Sequence, residues 1–254
     1  MENHIIDLDQ WLELPAGRYV LDWEQAVFDR LTADIFGFHA VQIGLPQINT
    51  LSASRMPVRW LSGNVRPVSV AEGGLPLVLH DFSELPYESQ SIDLIVLPHV
   101  LEFAPEPHQI LREVERVLIP EGRLIISGFN RASLWGMRQF SGKWFNSHYL
   151  PERGEFISLP RLKDWLKLLN MEIGQTYFGC YAPPCRSGAW LERFGMMERG
   201  GRRWWPYLGA VYMVQAVKRV RGMHLIGPAW KQKKLRRGAA VPVVNKSKKT
   251  NESG

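Results

Sequence analysis

The chain has 254 residues, 45% of them hydrophobic and 22% charged, with 17 Pro, 22 Gly and two Cys. That apolar share excludes a disordered chain, the Gly and Pro contents exclude a collagen-like one, and two cysteines cannot staple a disulfide scaffold. The net charge of +6 is unevenly placed: residues 1–130 hold 8 Arg, no Lys and 18 acids, a net of −10, whereas residues 131–254 hold 23 basic residues and 7 acids, a net of +16.

No run of about 18 uncharged apolar residues occurs, so no membrane-spanning helix is expected. Glu2, Asp7 and Asp9 make the start of the chain acidic where a signal peptide is basic, and a cytoplasmic location is the expectation. Cys180 and Cys185 stand four residues apart with no second pair and no His cluster nearby. They read as two reduced thiols, and no metal site is expected.

Residues 7–37 read as helical. Asp22 is placed to cap a helix over Trp23–Ile35, where Ala26, Val27, Leu31 and Ile35 recur at helical spacing, and Gly37 is placed to close it. Short apolar runs at Phe38–Ile43, Val58–Leu61, Leu75–Leu79, Ile92–Leu97 and Gly122–Ser127 read as buried strands. Before the last of these, Ile110, Leu111, Val114, Val117 and Leu118 form one helical stripe while Arg112, Glu113, Glu115 and Arg116 face away. Strand, helix and strand at this spacing make a βαβ unit, which builds a parallel sheet with ligands beyond the carboxyl ends of its strands.

Ser158-Leu159-Pro160 then opens a helix through Leu169. Ile173–Phe178 and Leu208–Val217 read as a closing strand pair with a helix, Gly188–Met197, between them. From Lys231 onward apolar periodicity stops, and the composition is that of a disordered basic tail. The expected organisation is a helical segment over residues 1–37, a core over 38–130, a basic, Trp-rich completion and cover over 131–230, and the tail over 231–254. The expected fold is α/β, a Rossmann-like, mostly parallel sheet with helices on both faces and a C-terminal antiparallel strand pair.

Several pieces between His80 and Ser127 occur in a telling order. They are Asp81-Phe82-Ser83-Glu84-Leu85-Pro86-Tyr87, Ser91-Ile92-Asp93-Leu94-Ile95-Val96, Val100-Leu101-Glu102, Leu111-Arg112-Glu113-Val114-Glu115-Arg116-Val117-Leu118 and Pro120-Glu121-Gly122-Arg123-Leu124. In this order and spacing they resemble the second half of a class I S-adenosylmethionine-dependent methyltransferase of the type-11 domain family. The resemblance implies a methyltransferase with S-adenosyl-L-methionine as cofactor. It assigns Asp81 and Phe82 to the adenine and brings Leu97, Pro98 and His99 to the methionine part. A local reading of Asp81 and Asp93 as turn-capping residues stands beside it.

At the first loop the chain departs from the family. An acid followed by three alternating glycines becomes Gln42-Ile43-Gly44-Leu45-Pro46-Gln47-Ile48, in which only Gly44 survives. Pro46 suits a helix start, Ile48 adds bulk, and Gln42 has lost a charge able to pair with the cofactor's ammonium. The acid expected at the end of the second strand is also absent, leaving Ser62 or Asn64 for the ribose hydroxyls. Gln42, Gly44, Ser62, Asp81, Phe82, Leu97, Pro98 and His99 are thus the candidate cofactor residues. Asn130 and Trp135, beyond the fifth strand, are the candidates for substrate contact, and His99 is the one candidate base.

The readings that follow are a methyltransferase acting on a small-molecule acceptor, and a binding or regulatory protein that kept the fold and lost the cofactor. A third comes from the basic half, where Trp135, Trp144, Trp165, Trp190, Trp204, Trp205 and Trp230 lie among Arg138, Lys143, Arg202, Arg203 and Lys231. These can stack bases and hold phosphates, as in an RNA-binding methyltransferase, or simply pack amphipathic helices. Residues 231–254 hold 8 basic residues and one acid, so the first 230 residues sum to −1 and residues 131–230 to +9. An acidic sheet half covered by a basic half is expected, with the tail free to meet nucleic acid or an anionic surface.

Overall fold

The alternating apolar runs become seven strands of one sheet in the computed structural model, which describes residues 8–64, 75–145, 149–151, 154–185, 188–194 and 196–219. The strands are β1 (His39–Ile43), β2 (Val58–Gly63), β3 (Leu77–Leu79), β4 (Ile92–Pro98), β5 (Leu118–Phe129), β6 (Met171–Gly179) and β7 (Val211–Lys218). Their order is β3-β2-β1-β4-β5-β7-β6. β1 to β5 are mutually parallel, and β7 enters antiparallel between β5 and β6. The order reverses at β1 and β4, so their carboxyl ends open the crevice where such sheets bind ligands.

The helices are α1 (Leu8–Leu12), α2 (Pro15–Ala33), α3 (Val100–Phe103), α4 (Pro107–Val117), α5 (Leu134–Phe145), α6 (Leu159–Leu168), α7 (Gly188–Arg193) and α8 (Met196–Trp204). Side chains alternate across the sheet with a period of two, and β4 shows the consequence. Leu94 and Val96 pack with Trp11, Val20 and Phe28 of α1 and α2 on one face. Ile95 and Leu97 pack with Ile110, Leu111, Leu162 and Leu166 of α4 and α6 on the other. Each such side chain, fully buried, contributes about 1.5–3 kcal/mol before chain entropy is counted.

Several boundaries differ from expectation. α2 starts at Pro15, seven residues before Asp22, which lies exposed within the helix and caps nothing. Pro15 at the first helical position presets the backbone without losing a needed donor, and Val20 and Ala16 extend the apolar face upstream. The helix ends at Ala33, so Gly37 does not close it; a Cβ there would meet Asp93 Cβ at 2.6 Å. After β1 no helix forms, and residues 44–57 run as turns and irregular chain. β5 begins at Leu118 rather than Gly122, and the helix expected over Gly188–Met197 is two, α7 and α8. Among the described residues no helix is long and apolar enough to cross a membrane. The expected basic tail, with Lys231 and Trp230, lies outside the described residues.

Candidate cofactor and acceptor site

The loop after β1 is organised around Gln42, whose side chain is buried. Its amide Nε2 donates to the carbonyls of Gly44, Leu45 and Ile48 at 3.1, 2.9 and 2.8 Å. Its Oε1 accepts from the backbone N–H and the hydroxyl of Thr50, both at 2.9 Å. A carboxylate has no proton to donate, so an acid at this position could not hold three carbonyls. The loss of the family's acid and the change of its third glycine are therefore linked: Ile48 turns its side chain into the core with Leu45, and its carbonyl is tied to Gln42. Gly44 keeps a backbone φ of +75°, and an added Cβ would come within 2.7 Å of Val100 Cγ2. Glycine is required there on both counts.

At the next strand end, Ser62 is buried with its hydroxyl 2.5 Å from that of Tyr87, while Asn64 is exposed. Asp81 is exposed beyond β3, and its Oδ1 accepts from the Ser83 N–H at 2.9 Å and the Ser83 hydroxyl at 2.8 Å. These bonds hold its carboxyl below the usual range, so it is ionised at neutral pH. Phe82 lies half-buried, with its ring edge 3.9 Å from where a Gly44 Cβ would sit. His80 Nε2 is buried without a hydrogen-bond partner beside this group. By contrast Asp93 is structural. Its Oδ2 accepts from the N–H groups of Phe38 at 3.1 Å and His39 at 2.9 Å, fixing the entry to β1.

Glu113 and Arg116 of α4, expected simply to face away, clamp the segment between β3 and β4. Glu113 accepts from the Leu85 N–H at 3.1 Å, and Arg116 donates to the carbonyls of Leu85 at 2.9 Å and Tyr87 at 3.0 Å. They also pair with each other at 2.8 Å.

Leu97 and Pro98 end β4 as fully buried residues, and His99 follows in the left-handed conformation at φ 52°. His99 does not offer a free nitrogen. Nδ1 lies 2.9 Å from Glu102 Oε2, and Nε2 lies 3.0 Å from Glu24 Oε1 of α2, an ion-pair distance at an angle too poor for a hydrogen bond. Glu102 also accepts from the Phe129 N–H at 2.6 Å, and the imidazole packs at 4.3 Å from the Phe129 ring. Burial disfavours the imidazolium, but the two carboxylates outweigh it and push the pKa up to about 10. His99 thus carries its proton at neutral pH and is no base there. The same burial raises Glu102 against the pull of His99. Glu24 and its role were not singled out in the sequence, although the signal is present: an acid within the apolar face formed by Val20, Val27, Phe28 and Leu31.

The two candidates for substrate contact are engaged in structure. Asn130 donates to the carbonyls of Tyr207 at 2.8 Å and Gly209 at 2.9 Å and accepts from the Ala132 N–H at 3.0 Å. It thereby fastens the approach to β7 onto the carboxyl end of β5. Trp135 is buried, donates to the Ala182 carbonyl at 2.7 Å and packs edge-on against Trp11 and Tyr149. Beside them Glu198 accepts from the Cys180 N–H at 2.8 Å and the Tyr19 hydroxyl at 3.1 Å. Burial raises the Cys180 thiol well above its usual range; both cysteines are free thiols. Among the described residues no group of three or more His, Cys, Asp or Glu side chains could hold a metal ion.

Residues 43–126 match the Methyltransferase domain family. With the strand order 3-2-1-4-5-7-6 and the crevice at β1 and β4, this places the chain among the class I S-adenosylmethionine-dependent methyltransferases, to which it belongs. The chain is similar to the uncharacterized protein YafS of Escherichia coli (strain K12), with 32% identity over 170 residues, 66% of this chain and 67% of that one. Among solved structures it is similar in fold to the protein bound to the Trm112 methyltransferase activator of Haloferax volcanii. That likeness has a TM-score of 0.58 at 13% identity, covering 86% of this chain and 98% of that one. A methyltransferase of Thermotoga maritima gives 0.57 at 15% identity, covering 79% and 92%.

Proposed function

We propose that this chain binds S-adenosylmethionine and transfers its methyl group, and that the altered first loop is a rebuilt cradle rather than a lost one. One observation carries this reading: the residues that depart from the family spend themselves inside the loop. Gln42 binds three carbonyls, and Ile48 enters the core. The one retained glycine still presents bare backbone at φ +75°.

In this reading the ionised Asp81 and the ring of Phe82 hold the adenosine, with the unpartnered His80 Nε2 beside them as a further donor or acceptor. Asn64 takes a ribose hydroxyl in place of the missing acid, since the Ser62 hydroxyl is already held by Tyr87. Gly44 gives close backbone approach, Leu97 and Pro98 wall the methionine part, and Gln42 acts from behind the loop rather than on the ligand. The bound cofactor supplies an electrophilic methyl group on a sulfonium. Such a displacement needs alignment and exclusion of water more than a proton acceptor. The charged His99 therefore serves as a positioning residue that ties α2 across the end of β4. The acceptor is a small molecule reaching the site from the side of β5 and α2.

Isothermal titration of the full chain with S-adenosylhomocysteine tests this. Asp81→Ala is expected to weaken binding about tenfold, the loss of one or two charge-assisted contacts. Binding that is absent in the wild type overturns the proposal and leaves the fold as a cofactor-free binding module; binding untouched by Asp81→Ala overturns the assignment of Asp81 to the cofactor.

A further inference from the structure

α8 and the approach to β7 present large apolar side chains to solvent: Trp204 is 71% exposed, Trp205 54%, Tyr207 72% and Leu208 42%. Four such residues within five positions, with the Trp204 and Trp205 rings 6.1 Å apart, concentrate exposed apolar area in the way that marks an interaction site rather than scattered exposure. Along this part of the sequence the charge has one sign. From Arg199 to Asn251 the chain holds 14 Lys and Arg and not a single Asp or Glu, and Arg203, beside the rings, is exposed.

We propose that the segment Trp204–Leu208 docks the protein peripherally on an anionic lipid bilayer. Trp and Tyr, with an apolar body and a polar edge, settle at the headgroup level of a membrane, and the unbroken positive charge matches anionic headgroups. Stacking on nucleic-acid bases would use the same rings and charge, but other exposed apolar groups favour the bilayer. Leu208 and, on α5, Leu134 and Met137 are exposed; aliphatic side chains give little to a base and much to an acyl layer.

The segment is fixed where it matters. Asn130, the residue after β5, donates to the Tyr207 and Gly209 carbonyls, and the Tyr181 hydroxyl donates to the Pro206 carbonyl at 2.8 Å. The docked segment therefore sits at the carboxyl end of the sheet, on the rim of a groove of about 290 Å³ between α2 and β6. Trp23, Tyr177, Phe178 and Tyr181 wall this groove, with Arg30 over the Tyr177 ring at 4.9 Å. Resting on the methyltransferase reading above, the docking implies an acceptor that partitions into the bilayer: an apolar or aromatic molecule with a polar or anionic end.

Flotation of the full chain with phosphatidylcholine vesicles, with and without about a quarter phosphatidylglycerol, tests the docking. The wild type is expected to float with the anionic vesicles alone, and brominated acyl chains are expected to quench its tryptophan emission. The triple variant Trp204→Ser, Trp205→Ser, Tyr207→Ser is expected to bind at least about tenfold more weakly. Arg203→Glu, which leaves the rings intact, is expected to weaken binding in the same direction. The thermal shift that S-adenosylmethionine gives the triple variant should match the wild type's, which separates a failure of docking from a failure of cofactor binding. No flotation of the wild type overturns the proposal. So does equal flotation of the triple variant, which would assign the attraction to charge alone. Single-stranded RNA binding that needs the three rings, without vesicle binding, would overturn it in favour of nucleic acid.

Discussion

At Glu24 a carboxylate occupies a position on α2 whose neighbours on the same face are Val20, Val27, Phe28 and Leu31, and it survives there because His99 answers it at 3.0 Å. The pairing makes a stability that depends on pH. The folded pKa of His99, about 10, lies above the ordinary 6.5, so the protein takes up a proton on folding between these values. The stability tied to the imidazolium is complete below pH 6.5 and is lost as pH rises through 10. Chemical denaturation across that window should show stability falling by up to about 1.4 kcal/mol per pH unit. Glu24→Gln keeps the volume and removes the charge. It should cost roughly 3 kcal/mol at neutral pH and flatten the slope; an unchanged slope would mean that the pair does not hold the proton. Gln42→Glu restores the family's acid and is expected to do harm. It replaces three donations with a carboxylate facing three carbonyls, and melting should show a loss of about 2–3 kcal/mol with no gain in cofactor affinity. The change at residue 42 was legible as a departure from the family, but not as a repair. Its meaning depends on Thr50 and Ile48, whose carbonyl and N–H directions no residue pattern spells out.

Between elements, α2 and β6 meet in a close contact. The Trp23 indole lies against Gly179 so closely that an added Cβ would stand 1.9 Å from Trp23 Cε2. Gly179→Ala should destabilise by roughly 3 kcal/mol through overpacking, and adding Trp23→Ala should recover part of the loss, a coupling that a double-mutant cycle reads directly. Independent, additive losses would show that the two residues do not meet in solution. The strands, α4 and the closing antiparallel pair were legible because hydrophobic period, Gly and Pro punctuation and family motifs agreed there. The start of α2 lies upstream of the capping residue type at Asp22 because the apolar face continues back to Ala16 and Pro15 opens the helix. Glu113 and Arg116 look like solvated face residues on a helical wheel. Only the fold of the preceding segment brings the Leu85 and Tyr87 carbonyls within reach of Arg116.

For the whole molecule, the split of −10 and +16 between residues 1–130 and 131–254 was legible from composition alone. What it does was not. Lys218 and Arg219 of the basic part pair with Glu115 and Glu121 of the acidic part, and the second of these pairs is exposed and contributes little. The longest one-signed stretch of the sequence, Arg199 to Asn251, instead includes the exposed rings of Trp204, Trp205 and Tyr207. Strand order places the crevice at β1 and β4, and the central claim is that a rebuilt loop there still takes the family's cofactor. Thermal unfolding of the full chain with S-adenosylmethionine measures this most directly. At about a hundredfold excess over the dissociation constant, stability should rise by about 2.7 kcal/mol, roughly 5–10 °C in Tm for a chain of this size. An unchanged Tm at about millimolar cofactor, with a cooperative transition showing the protein folded, would contradict it.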